Sequence, residues 1–206
     1  ATKVYGSDDP DVVFTIGTAA NSVKEGEGSG TELTNTFKNK ITVTRVAGTK
    51  VNSYAYNGTI TDTNLAKNYS IASENITTNG TTQAKFTITA KDFTTANIKI
   101  ADIDPVTYTA SGLEPTVTVT DIALETTLVK GTDYTVTYTN NTNAALSTDA
   151  TPPTATVKGK GNYSNSTIEV KFTIEGAPLL VTPTAKKVYY GEVTAATVPS
   201  DLSGMS

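Results

Sequence analysis

The chain has 206 residues, a formal net charge of −4, and no cysteine, histidine or tryptophan. That excludes disulfides, thiolate chemistry and cysteine-ligated zinc and removes the commonest general base of hydrolytic sites. With no stripe of Lys or Arg it also leaves no electrostatic footprint for nucleic acid or an anionic membrane surface.

No apolar run approaches the ~20 residues of a membrane-spanning helix. The chain opens at Ala1 without the basic and apolar regions of a signal peptide, so if it is exported its signal and anchor are expected outside this stretch. About one residue in five is threonine, alternating with Val, Ile, Tyr and Phe, and these types fit a pleated, half-buried surface. Strand is therefore the expected element almost everywhere.

Lys3-Val4-Tyr5-Gly6 opens the chain and leads to a turn at Ser7-Asp8-Asp9-Pro10. There Gly6 can take positive φ, the aspartates can bond their own backbone, and Pro10 keeps its predecessor out of a helix. A strand is expected over 12–16. Residues 19–35, with Gly26, Gly28 and Gly30 among Lys, Glu and Ser, read as a long loop and a possible insertion. Strands are expected again at 41–46, 52–56, 68–71 and 86–88. Apolar spacing of three and four is sustained nowhere, although short helical turns near Leu65-Ala66 and Leu124-Glu125 are compatible with the pattern.

In the second half, strands are expected at 98–100 and 108–109, then after a turn at Ser111-Gly112 at 116–120 and 127–131. Further strands follow at 134–138, 155–158 and 168–174, with turns at Thr132-Asp133 and Asn140 to Asn143. Thr116-Val117-Thr118-Val119-Thr120, Tyr134-Thr135-Val136-Thr137-Tyr138 and Ile168-Glu169-Val170-Lys171-Phe172 each alternate with period two, one face inward and one toward water.

The same ending is written twice. Asn68-Tyr69-Ser70 followed by Lys85-Phe86-Thr87-Ile88 recurs as Asn162-Tyr163-Ser164 followed by Lys171-Phe172-Thr173-Ile174. The opening phrase also returns, as Lys187-Val188-Tyr189-Tyr190-Gly191. The spacing gives modules of about 90 residues, within the range of an all-β sandwich unit: 1–89, 90–178, and the start of a further module at 179–206. Thr89-Ala90-Lys91 and Glu175-Gly176-Ala177-Pro178 are too short for flexible tethers, so neighbouring modules are expected end to end. The expected fold is all-β, as tandem immunoglobulin-like β-sandwich modules with Tyr69 and Tyr163 at equivalent places before the last strand. The alternative is β-grasp-like modules with a short helix.

These residues carry a family resemblance. Lys3 to Pro10, Arg45-Val46-Ala47-Gly48-Thr49, Val51 to Ala55, Asn68 to Ile71 and Phe86-Thr87-Ile88 resemble the mostly-bacterial immunoglobulin-like (MBG) repeat of large surface proteins. Tyr108 to Gly112, Pro115 to Val119, Lys130 to Tyr138 and Gly159 to Ser164 are similar to a related repeat of the same proteins, and 179–191 looks like the entry to another MBG unit. The resemblance covers residues 1 to about 175. It implies an extracellular place on a bacterial cell surface and no catalytic residue set. It also implies that the first module lacks its own entry strand, is less stable than residues 90–178, and could accept Leu179-Leu180-Val181-Thr182 as a donated strand.

Candidate sites are few. Asp8, Asp9 and Asp11, and Asp102 with Asp104, offer oxygen ligands for Ca²⁺, but neither group has calcium-loop spacing and both read first as turn-forming. No carboxylate pair is set apart for glycoside hydrolysis. Tyr54 with Tyr56, and Tyr134 with Tyr138, share strand faces and could stack on sugar, although such pairs more often form core. No Lys with Asn or Asp is singled out for an isopeptide staple. The expectation is a non-catalytic spacer of a bacterial cell-surface or adhesin-like protein, with no catalytic, cofactor or metal residues, whose partners are neighbouring modules of its own chain. The alternative is a module binding host glycan or protein through its tyrosines or the 19–35 loop.

Overall fold

The alternation of Thr with Val, Ile, Tyr and Phe produces strands throughout a computed structural model that describes residues 1–16, 36–78 and 82–183. The protein is all-β. The loop expected at 19–35 and the returning phrase at 187–191 lie outside the described residues. Residues Ala1–Gly176 form one compact unit and Ala177–Ser206 a second, so the expected division at 89/90 does not separate compact units, and first and second module name the two halves, 1–89 and 90–176, of the first unit.

In the first module, β1 (Thr2–Val4), β2 (Ile41–Arg45), β3 (Asn52–Ile60) and β6 (Lys85–Thr89) form a sheet of order β1-β6-β3-β2. β1 runs parallel to β6, with Lys3 opposite Ile88, and the other pairs are antiparallel. A small hairpin, β4 (Thr77–Thr78) with β5 (Thr82–Gln83), precedes β6.

The second module repeats this wiring. β11 (Tyr134–Thr139), β12 (Thr154–Gly159) and β13 (Thr167–Lys171) are antiparallel neighbours, and after Phe172-Thr173 the chain continues as β14 (Ile174–Glu175), parallel to β8 (Val106–Thr107). Val106 lies opposite Ile174 as Lys3 lies opposite Ile88. Beyond the parallel pair the same bond recurs: Tyr5 N–H donates to the Thr89 carbonyl and Tyr108 N–H to the Glu175 carbonyl, each at 2.9 Å. The repeated Lys-Phe-Thr-Ile thus forms equivalent strands, with Phe86, Ile88, Phe172 and Ile174 all 1 % exposed.

A second layer, β10 (Thr126–Thr127), β9 (Val119–Asp121) and β7 (Ile98–Ile100), covers the other side of the second core. Ile98 and Val119 from this layer meet Tyr134, Ala155 and Val157 from the facing one, with Phe93, Leu128 and Tyr163 completing the cluster. The described core of the first module is smaller: Tyr56, Phe86 and Ile88. Burying each such large side chain is worth about 1.5–3 kcal/mol, so among the described residues the second module's cluster contributes more.

Several expected strands are not formed. Residues 12–16 keep alternating burial, with Val13 exposed and Phe14 and Ile16 half-buried, yet are not assigned as a strand, because period two reports which face is inward and not the regular pairing a strand needs. Residues 68–71 make none either. Asp62 Oδ1 accepts the N–H groups of Asn64 (3.0 Å) and Leu65 (2.8 Å) and starts a helical turn, Leu65–Asn68, that diverts the chain.

In place of 116–120 the strand begins at Val119. The hydroxyls of Tyr138 and Tyr134 take the carbonyls of Pro115 (2.5 Å) and Val117 (2.9 Å), which a sheet ladder would otherwise use. Near Leu124 the chain turns through Glu125 at φ 51 and forms no helix. Residues 177–183 form no strand, and Leu179, Leu180 and Val181 are exposed.

Candidate functional site

The sequence elements that recur most faithfully converge at the joint between the two modules. β1 ends in a tight turn closed by Ser7 N–H to the Val4 carbonyl (3.1 Å), with Gly6 at φ +84, a backbone only glycine enters cheaply. The turn turns the Tyr5 ring onto Tyr163 of the second module, edge to face at 5.6 Å. A side chain at Gly6 would press on Leu124. Tyr5 packs against both hydrophobic cores and so bridges them.

Beneath Tyr163 lies a buried polar cluster. Lys91 Nζ donates to Asp121 Oδ1 (2.6 Å) and Oδ2 (2.8 Å), and the Tyr163 hydroxyl donates to Oδ2 (3.0 Å). Oδ1 also accepts the backbone N–H groups of Ala123 (3.1 Å) and Leu124 (3.0 Å). Asp121 is 0 % and Lys91 8 % exposed, and among the described residues no buried side-chain polar atom lacks a partner.

Burial works to raise the Asp121 carboxyl, but the bonds from Lys91, the Leu124 N–H and Tyr163 outweigh it and hold the group below its usual value. Burial, then the bond to Asp121, pushes the Tyr163 phenol well above the usual tyrosine range. The chemistry of this arrangement is that of a fixed ion pair. It fastens the inter-module segment at Lys91 to the Asp121 turn of the second sheet.

Asn162-Tyr163-Ser164 is spent entirely here. Asn162 Oδ1 accepts the N–H of Val51 from the first module (2.9 Å), Tyr163 of the second core receives the Tyr5 ring, and Ser164 Oγ accepts the N–H of Phe93 (2.8 Å). The inter-module segment is tied as well. Lys91 N–H donates to the Asn162 carbonyl (3.0 Å) and Ser164 N–H to the Lys91 carbonyl (2.8 Å). A groove of about 540 Å³, lined by Tyr5, Gly6, Thr89, Lys91, Asp92 and Asn97 among others, runs along this joint.

A second polar cluster lies on the first module. Asp9 accepts from Arg45 Nε (2.5 Å) and Nη2 (3.2 Å) and from Lys3 Nζ (2.7 Å). The Arg45 bond, then the Lys3 bond, lowers the Asp9 carboxyl to about 2. The guanidinium stacks over Phe86 at 4.9 Å and Tyr54 at 5.4 Å, and its Nη1 donates to the Gly48 carbonyl. A side chain on Gly48 would collide with the Tyr54 ring.

The residues considered for calcium are therefore not gathered as ligands. Asp9 is neutralised by two cations, Asp8, Asp11, Asp102 and Asp104 are exposed, and no group of three candidate ligands meets among the described residues. The tyrosines considered for sugar stacking face inward. Tyr56 packs edge-on against Phe86, Tyr138 against Phe172, and Tyr134 is 4 % exposed. Tyr69, expected to match Tyr163, also lies between the penultimate and last strands of its sheet, but it is half-buried against Phe37 at 6.4 Å.

Sequence reasoning passed over Lys91 and Asp121. Lys91 sits in a segment read as ordinary linker and Asp121 at the end of a strand, and their one shared signal is a buried apolar residue two positions away on one side, Phe93 after Lys91 and Val119 before Asp121. No family description, curated protein or solved structure matches the chain.

Proposed function

We propose that this chain is a non-catalytic spacer of a bacterial cell-surface protein, built from tandem immunoglobulin-like modules whose joints are stiffened by docking one module on the next. The observation that carries the reading is Tyr5, which packs against both cores and lies on Tyr163, whose hydroxyl donates to the buried Lys91–Asp121 pair. A flexible tether would leave these groups wet and would have no use for them. The resemblance of both modules to MBG-type surface repeats supports the place of work, and an early strand, β1 or β8, running parallel to the last strand of each module supports the immunoglobulin-like description.

Small-angle scattering with ¹⁵N relaxation tests the reading. The two modules are expected to tumble as one anisotropic body. Independent tumbling, or saturable binding on a host-glycan array that is lost on deleting residues 21–32, would replace the spacer with an adhesin.

A further inference from the structure

In each module the segment by which the chain enters is bonded to the segment that leads to its exit, and the two run the same way. β1 is parallel to β6. The Ala1 carbonyl accepts the Thr87 N–H (2.9 Å), Tyr5 N–H donates to the Thr89 carbonyl (2.9 Å), and Thr89 Oγ1 donates to the Lys3 carbonyl (3.2 Å). In the second module Lys91 pairs in parallel with Tyr163, just ahead of β13 and β14. Its N–H and carbonyl hold Asn162 and Ser164, and its Nζ is anchored on Asp121. At the exit β14 lies parallel to β8, with Val106 N–H on the Thr173 carbonyl (3.0 Å). The other strand pairs among the described residues are antiparallel.

Direction decides how such a pair meets a pull along the chain. In an antiparallel pair the incoming end of one strand lies beside the outgoing end of its partner, so tension peels the ladder one bond at a time. In a parallel pair those ends are opposite. Tension then runs along the strands, and the evenly spaced bonds share it and must yield together.

We propose that Ala1–Gly176 is built to carry tension along the chain, with β1 on β6 as the shear clamp of the first module and Lys91 on Asn162-Tyr163-Ser164 as that of the second. The inference takes its setting from the spacer reading and adds a mechanical duty to it: the modules resist extension as well as setting distance. The buried ion pair gains a second use. A pull on Lys91 acts on a residue whose side chain is fixed to Asp121 at the end of β9. The entry segment cannot slide past Tyr163 without drawing apart two charges held away from water, a separation that is strongly unfavourable.

The test changes the direction of the pull and leaves the clamps themselves intact. The chain has no cysteine, so handles attach only where one is introduced. Ala1→Cys with Gly176→Cys pulls the unit end to end and loads both clamps in shear. Ala1→Cys with Lys85→Cys pulls at the adjacent heads of β1 and β6, where the Ala1 nitrogen lies 3.4 Å from the Lys85 carbonyl, and peels the same ladder. All three sites are exposed, and a side chain at Gly176 meets nothing within 4 Å. An unchanged urea midpoint of each reduced variant verifies the fold.

Single-molecule force-clamp measurement reads the rate of forced opening. At the same force, the first opening end to end is expected to be at least about tenfold slower than opening of the peeled pair, because bonds that break singly in one direction break together in the other. That result requires the second clamp to hold too, since the weaker module opens first. Equal or faster opening end to end overturns the proposal. Independent tumbling of the two modules strikes the spacer reading and leaves this ratio unaltered, so the two readings fail separately.

Discussion

Asp121 concentrates the energetics of the joint on a single side chain. Its two oxygens accept from Lys91, Tyr163 and two backbone N–H groups with no exposure to water. Removing one partner of such a pair leaves an uncompensated buried charge and costs about 3–5 kcal/mol, so Asp121→Ala is expected to lower the urea midpoint strongly. Tyr163→Phe removes only a hydrogen bond to a charged group, worth about 1.5–3 kcal/mol, and keeps the ring under Tyr5. The Asp121 variant is thus expected to lose more stability in the same titration, and the reverse order would mean that the Tyr163 hydroxyl, not the ion pair, carries the joint.

The pH dependence follows from the same groups. Asp121 and Asp9 are depressed in the folded state, so their contribution is full above the unfolded value of 3.8 and is lost as pH falls through their lower folded values. The phenols of Tyr56, Tyr134, Tyr138 and Tyr163 are raised above 10.0, chiefly by burial, so stability present below that value is lost as pH rises beyond it. Equilibrium unfolding is expected to show a plateau between about pH 5 and 9 with losses on both sides. Tyr163→Phe should flatten the alkaline loss and leave the Asp9 part of the acid loss in place.

At the scale of elements, the strands that match their expected positions are those whose alternating residues pack on both layers of a core. β11 and β12 are legible because Tyr134, Val136, Ala155 and Val157 fall inward at period two. The strand expected at 68–71 fails because a single carboxylate, Asp62, caps a turn just before it, and no periodicity scan weighs one capping bond. The start of β9 is shifted for a similar reason, since tyrosine hydroxyls on β11, distant in sequence, take its carbonyls.

The repeat was legible as a phrase but its purpose was not. Asn162, Tyr163 and Ser164 look like a turn until Val51, Asp121 and Phe93 are placed beside them in space. Gly159, the last residue of β12 before this loop, shows how tight that placement is. A Cβ there would collide with the Ser164 carbonyl and press on Phe93. Gly159→Ala is expected to destabilise by about 1–3 kcal/mol, the usual cost of overpacking, read as a lower thermal midpoint. An unchanged midpoint would show that the β12 to β13 connection is looser than its contacts imply.

For the whole molecule the two modules are unequal. Among the described residues, the second buries a cluster of nine from two layers and the first a cluster of three, and Tyr5 packs against both. An edge-to-face aromatic pair is worth about 0.5–1.5 kcal/mol beyond the area it buries, and in Tyr5→Ala both the pair and the burial are lost. Native-state hydrogen exchange separates the consequences, because cooperative units open at their own free energies.

The amides of β3 and β6 are expected to lose protection in Tyr5→Ala, while those of β11 and β12, whose core is complete without Tyr5, keep theirs within a few tenths of a kcal/mol. Equal loss in both modules would mean that the chain unfolds as one cooperative body and that Asp121 and Lys91, not the tyrosine, transmit the coupling. Loss in neither would mean that Tyr5 rests on the second module without holding it, and the joint would then be a hinge.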